Sequence, residues 1–296
     1  VRQYTTGAQD YELPGPSGQP GKKGVLLERT KTTRAGDYLE CEIYPVVLLE
    51  QGMRQRLRHK SPEAIERANR ERARRSLERL LNANFTAGDL LLHLTMARPC
   101  PLDEMQRLVR NYIKRLKYRA GKRGAPCKYV YVIETTGEGD RMRHHVHMVL
   151  SSGGGWITRD EAEGMWRHGL ARADRCKRQE KGLAGFARYI TQRKETQRRL
   201  MRRSWGASKN LKQPAVTIAD KKFSRAAAAR IAQGIETDAR RILEAKYPGY
   251  RLVEQPVIRW SDFLPGCYIY AFLERIRQDE HKTGTNAGAR ARAVIL

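Results

Sequence analysis

The stretch from Tyr129 to Leu150 constrains this chain most. Tyr129-Val130-Tyr131-Val132-Ile133-Glu134 is a run of β-formers, and His144-His145-Val146-His147-Met148-Val149-Leu150 is a second. Between them Thr135 to Arg143 is a polar turn in which Gly137 and Gly139 supply backbone freedom. The segment reads as a β-hairpin. Successive residues of a strand point to opposite faces. His145 and His147 therefore share one face, with Val146 and Met148 turned to a core and His144 turned away from the pair. Two imidazoles at this spacing can grip one divalent cation, and Glu134 can bring its carboxylate back beside them. Glu138 and Asp140, in the turn, are the alternative carboxylates. His93, on an earlier apolar run, reads as a core-edge histidine. A mixed imidazole and carboxylate set suits Mn2+ or Mg2+, and the ligand types also admit Zn2+.

The flanking elements follow from periodicity and caps. Tyr38 to Val47 reads as a strand. Ser61-Pro62 opens an arginine-rich helix to about Leu81, closed by Asn82 and Asn84. Asp89 to Met96 is an apolar run of strand length. In Pro101 to Tyr118 the residues Met105, Leu108, Val109, Tyr112, Ile113 and Leu116 fall on one helical face. Thr158 caps a helix to about Cys176, and a further helix covers about Gly182 to Arg203. Phe223 to Lys246 is a helix, and Arg251 to Trp260 and Cys267 to Leu273 are strands. The order predicts an α+β fold, an antiparallel sheet with helices on one face and the other face free for substrate. The expected divisions are a flexible basic arm (1–36), an N-terminal strand and basic helix (37–84), a core (85–213), a C-terminal helix with strands (214–277) and a disordered tail (278–296). The Gly15 to Lys22 stretch has the wrong spacing for a phosphate-binding loop and no Ser or Thr after its lysine.

Charge narrows the class of partner. Lys and Arg number 58 against 32 acidic residues, a net charge of +26. Such an excess repels itself unless a polyanion is present, and nucleic acid is the usual one. No apolar run reaches the roughly 18 residues of a membrane span, and no apolar leader stands near Val1. The five cysteines, Cys41, Cys100, Cys127, Cys176 and Cys267, form no Cys-x-x-Cys pair. A zinc knuckle or disulfide framework is not expected, and a reducing cytoplasm is.

One tyrosine stands out. Tyr189 lies in Gly185-Phe186-Ala187-Arg188-Tyr189-Ile190-Thr191-Gln192-Arg193-Lys194, among three cations. A phenol with a pKa of about 10 is a poor nucleophile near neutrality, and nearby cations or a metal lower the cost of its phenolate. The stretch Arg188 to Lys212 holds nine basic residues and one acid. Arg188, Arg193, Lys194, Arg198, Arg199, Arg202, Arg203 and Lys209 thus read as a track for a DNA backbone, and Trp205 as a base-stacking ring. Tyr112, Tyr118, Tyr129 and Tyr131 read as packing residues.

These residues together resemble the HUH endonuclease superfamily, named for His-hydrophobic-His, and within it the replication initiators of rolling-circle plasmids and single-stranded DNA phages. Asp89-Leu-Leu-Leu-His-Leu-Thr95-Met96 is similar to the apolar first motif. His145-Val146-His147 with Glu134 is similar to the metal motif, and Arg188-Tyr189 to the tyrosine motif. Arg203-Ser-Trp-Gly-Ala-Ser208 resembles a segment downstream of the tyrosine. The position of a first tyrosine in two-tyrosine members is Gly185 here, so the chain resembles the single-tyrosine type. The resemblance implies an RRM- or ferredoxin-like sheet and metal-dependent nicking and rejoining of single-stranded or hairpin DNA at an origin. It also implies a 5′-phosphotyrosine intermediate on Tyr189 and a host polymerase and helicase as partners. Relaxases and single-strand transposases share the chemistry. Relaxases usually carry three histidines and an N-terminal tyrosine, whereas here the tyrosine follows the histidines. A sheet-based nucleic-acid-binding module without catalysis is the rival of another class.

Overall fold

The structure, a computed structural model, describes residues 9–13, 22–49, 61–137, 143–177, 181–191, 205–261 and 264–276. They divide into two compact units, one of residues 59–214 and one formed by the chain on either side of it. Among the described residues no helix is long and apolar enough to cross a membrane.

The continuous unit contains α1 (Pro62–Asn84), β4 (Leu90–Thr95), α2 (Leu102–Lys122), β5 (Tyr129–Thr136), β6 (Arg143–Leu150), α3 (Arg159–Gly164), β7 (Ala171–Arg175), α4 (Ala184–Thr191) and β8 (Gly206–Ala207). Its strands form one antiparallel sheet in the order β7-β4-β6-β5-β8. The α+β fold with an antiparallel sheet is as the sequence indicates. The β5–β6 hairpin pairs Val130 with Val149, Val132 with His147 and Glu134 with His145.

Strand alternation gives this sheet two different faces. One carries Leu90, Leu92, Leu94, Tyr129, Ile133, Val146, Met148 and Leu150, packed against α2 and α3. The six apolar positions expected along α2 are all buried there. Each fully buried side chain of this size contributes roughly 1.5–3 kcal/mol. The Tyr112 hydroxyl, at the centre of α2, donates to the Ala162 carbonyl at 2.8 Å. Thr158 caps α3 through a reciprocal capping box with Glu161.

The second face is less open than the sequence suggested. Leu91, Val130, Val132 and Val149 pack against Leu77, Leu80, Leu81 and Phe85 of α1 and its exit, and against Phe186 and Ala187 of α4. The cause is the apolar side of α1, which an arginine-rich composition obscures. Two asparagines that read as simple helix terminators also have a tertiary task. Asn82 accepts from the Leu183 backbone N–H at 2.9 Å and donates to the Lys181 carbonyl at 3.3 Å. Asn84 accepts from the Lys212 backbone N–H at 2.7 Å and donates to the Lys212 carbonyl at 2.9 Å.

The helix expected from Thr158 to Cys176 ends at Gly164, and Ala171–Arg175 is instead strand β7, paired to β4. At Gly169 the chain crosses so close to the backbone of Thr95 to Ala97 that a Cβ would lie 2.5 Å from the Ala97 nitrogen. Trp166 fixes the same crossing by donating its indole N–H to the Thr95 carbonyl at 2.8 Å.

The other unit contains β1 (Gln9–Leu13), β2 (Lys22–Ala35), β3 (Tyr38–Leu49), β9 (Ala215–Asp220), α5 (Arg225–Ala232), α6 (Glu236–Lys246), β10 (Tyr250–Leu252), β11 (Val257–Trp260) and β12 (Cys267–Arg275). They form a seven-stranded sheet ordered β1-β2-β3-β12-β10, with β9 also on β2 and β11 also on β12. Its core joins Leu39, Cys41, Ile43, Ile269 and Leu273 to Phe223, Ile231, Leu243 and Tyr247 from the helical side. This corrects the expectation of a flexible arm over 1–36. Gly, Pro and charge dominate that composition, but Thr30, Thr32 and Thr33 are β-branched and buried in the long strand β2. The divisions at 37–84 and 214–277 change accordingly, since β3 pairs with β12 while α1 belongs to the continuous unit. The helix expected over Phe223 to Lys246 is two helices broken at Gly234, which has φ 78°. The strand expected over Arg251 to Trp260 is split into β10 and β11 around Pro256.

Candidate metal centre

The face of the continuous unit's sheet that carries α1 and α4 is built in rows. Across it run Val130, Val149, Leu91 and Asp174, then Val132, His147, His93 and Arg172, then Glu134, His145 and Thr95. The first row is largely apolar and lies beneath α1 and α4. The next two bring every candidate ligand together.

Glu134 Oε2 is 3.2 Å from His145 Nε2 and 3.4 Å from His147 Nε2. His93, His145 and His147 each offer a ring nitrogen within 4.8 Å of the other two. The His93 ring stacks on that of His147, with centroids 4.5 Å apart, and meets His145 edge-on at 5.2 Å. Donors bonded to one cation at about 2.1 Å stand roughly 3–3.5 Å apart by simple geometry. The Glu134–His145 and Glu134–His147 separations already have that size, so this donor set fits a single divalent cation after small rotations. His144 faces the other way, buried, and its Nδ1 is 2.9 Å from Thr135 Oγ1.

The electrostatics favour the ligating form. Burial, then the neighbouring His93 and His145 rings, hold His147 down at about 4, with Glu134 opposing only in part. Burial and His145 lower His93 as well. Imidazoles that stay neutral near neutral pH bind a cation without displacing a proton.

A cleft of about 780 Å3 opens beside this cluster, lined by His147, Arg159, Arg172, Arg175, Lys177 and Phe186 among others. Arg172 is paired with Asp174 at 2.9 Å across one face of β7. Four cations and one aromatic ring thus border the ligand cluster. Sequence reasoning found Glu134, His145 and His147 and missed His93 as a partner. It also missed the cations of α3 and β7, which stand outside the basic run chosen from composition. The one available signal for His93 was a lone polar residue at the centre of Leu90–Leu94.

Other expected site residues are placed in part. Arg188 is exposed on α4 and Lys209 is exposed just after β8. Trp205 is half-buried against the core beneath α1. Arg193, Lys194, Arg198, Arg199, Arg202 and Arg203, and the alternative carboxylates Glu138 and Asp140, lie outside the described residues. Tyr189 is in α4, and α4 lies on the same face of the sheet as the histidines. The position of its side chain lies outside what the structure describes.

No curated protein and no solved structure gives a significant match to the chain. Residues 89–194, however, match the model of a family of replication-associated proteins, the ORF2 type. That span begins at the first residue before β4 and runs past the end of α4, so it holds the whole ligand cluster and the helix of Tyr189. Over this stretch the chain is similar to replication-associated proteins, and the similarity supports a role in starting DNA replication.

Proposed function

We propose that the protein is a rolling-circle replication initiator that nicks and rejoins single-stranded or hairpin DNA at an origin. The observation that carries this reading is the sharing of one sheet face by Glu134, His145, His147 and His93 and the helix of Tyr189. In this reading the four side chains hold Mn2+ or Mg2+, and a cation held there would polarise the scissile phosphate. Arg159, Arg172, Arg175 and Lys177 hold the flanking phosphates and offset charge that builds up in the transition state. Arg188 and the basic run beyond α4 extend that grip.

Tyr189 supplies the nucleophile. Its hydroxyl oxygen bonds to phosphorus as it gives up its proton, and the bond from phosphorus to the 3′-oxygen breaks. The departing oxygen takes a proton and becomes a free 3′-hydroxyl, which a host polymerase can extend once a host helicase opens the duplex. The 5′-phosphotyrosine keeps the phosphoester energy. A later 3′-hydroxyl can therefore reverse the step and restore a continuous strand without ATP. A second reading draws on His93, because three imidazoles are the set expected of a relaxase, whose target is a transfer origin. The order of histidines before tyrosine favours the initiator.

The test is incubation with end-labelled oligonucleotides from the replicon that encodes the chain, with and without Mn2+. A covalent adduct mapped to Tyr189 by mass spectrometry, lost in Tyr189→Phe with DNA binding retained, is the expected result. Equal cleavage by Tyr189→Phe refutes the nucleophile. Binding with no cleavage under any metal leaves a DNA-binding module in its place.

A further inference from the structure

A second groove, of about 850 Å3, lies on the opposite face of the same sheet. Its wall is the flank of α2 that carries Arg110, Lys114 and Lys117, and its floor includes Tyr129, Tyr131 and Trp205. It is separate from the ligand cluster by strand parity. Tyr129, Tyr131 and Ile133 point to the α2 side of β5, whereas Val130, Val132 and Glu134 point to the histidine side.

The three cations recur at helical spacing and are all exposed. Over seven residues they span roughly 10 Å of helix axis, and no carboxylate stands among the described residues that line the groove. A stacked strand presents a phosphate every 3.4 Å or so, so the row has room for two or three nucleotides. Tyr131 and Trp205 are half-buried, which leaves ring surface to the groove, while Tyr129 lies deeper with Lys117 Nζ 5.7 Å above its ring. The floor is also shaped for a ring. A Cβ on Gly206 would come within 2.5 Å of the Tyr131 side chain, so the bare backbone of β8 is what lets that ring lie where it does. Burial raises the phenols of Tyr129 and Tyr131, so both rings stay uncharged beside an anion.

A row of cations beside exposed rings is the combination that tracks a single strand: phosphates on the basic side and unpaired bases stacked on the aromatic side. A duplex keeps its base faces covered and cannot use the rings. We infer that the groove between α2 and the β5–β8 edge is a second binding site for single-stranded DNA, distinct from the cleft at the histidines. The choice of DNA as the strand rests on the replication reading above. The groove would hold a segment of the strand remote from the scissile phosphate.

The test reads binding without cleavage, by fluorescence anisotropy of a labelled twelve-nucleotide oligo-dT with the full chain in EDTA. Arg110→Glu, Lys114→Glu and Lys117→Glu combined change exposed positions, with circular dichroism and the thermal midpoint as folding controls. The expected result is at least about tenfold weaker binding and a salt dependence shallower by about two, three phosphates at about 0.7 each. Tyr131→Leu weakens binding about fivefold, the loss of one base stack. Ultraviolet crosslinks of oligo-dT map to peptides containing Tyr131 or Trp205. Unchanged affinity and salt slope in the triple variant overturns the inference. So does an equal loss for a duplex of the same length, which would mark plain electrostatic attraction. Because His145→Ala with His147→Ala leaves this groove intact, oligo-dT binding by that variant separates failure of the second site from failure of the nicking reading.

Discussion

Glu134 and His145 face each other as a register pair across the β5–β6 hairpin, with the carboxylate Oε2 3.2 Å from the imidazole Nε2. The same oxygen lies 3.4 Å from His147. One carboxylate therefore spans two imidazoles before any cation arrives. Removing it should cost more than a supporting partner would, for which about 10–100-fold in metal affinity is typical. Glu134→Ala is expected to exceed that range for Mn2+ in isothermal titration calorimetry and to abolish nicking. Affinity within threefold or so of the parent would remove Glu134 from the ligand set.

His93 gives a sharper test, because only the fold brings it to the site. Its ring stacks on His147 at 4.5 Å. His93→Ala is expected to weaken Mn2+ binding at least about tenfold, or 1.4 kcal/mol, while the thermal midpoint of the metal-free protein changes little. An unchanged titration would make His93 a neighbour of the site and not a ligand.

The metal-free protein should lose stability in acid over a definite window. His147 falls from its ordinary 6.5 to about 4, mainly by burial. Between these values the unfolded chain binds the proton that the folded chain refuses. Stability thus rises with pH across the window and is lost as pH falls from about 6.5 towards 4. Thermal midpoints measured in EDTA should follow this course, and His147→Gln should flatten it. A midpoint that stays level over that range in the parent protein would contradict the burial assigned to His147.

Asn82 should act at a distance as a positioning residue. Its amide holds both the Lys181 carbonyl and the Leu183 N–H at the start of α4. Asn82→Ala leaves those buried groups short of partners, at about 1–3 kcal/mol. Nicking should slow through kcat while Mn2+ affinity stays at the parent value. Loss of both together would mean that the whole sheet face had shifted.

Gly169 offers a control on the sheet itself. A Cβ there meets the backbone of Thr95 to Ala97. Gly169→Ala is expected to cost about 1–3 kcal/mol in urea unfolding, the usual range for overpacking. An unperturbed unfolding curve would show that β7 can retreat from β4 freely.

Much of the site was legible because a hairpin declares its own faces. Val146 and Met148 inward imply His145 and His147 outward, and no tertiary information is needed. The α2 face was legible for the same reason at a period of 3.6. His93 was not, because its partnership depends on the β4–β6 register, a pairing of residues more than fifty positions apart. A slip of one residue would send it to the other face. Strand β7 was hidden behind a genuine helix start at Thr158, whose cap says where a helix begins and nothing of where it ends. Strand β2 was hidden by composition, since its buried face carries Glu28, Thr30 and Thr32 in place of aliphatic residues.

The interrupted unit has a consequence for the order of assembly. Its central pairing joins Tyr38 to Glu274, and its β2–β9 pairing joins Arg34 to Ala215. During synthesis the early strands must wait for partners made long afterwards, while everything from 59 to 214 can complete its own sheet from neighbouring chain. A folded insert also shortens the span that must close, which lowers the entropy lost in bringing distant strands together. The ribosome would thus release the half holding the histidines in finished form before the split sheet could seal.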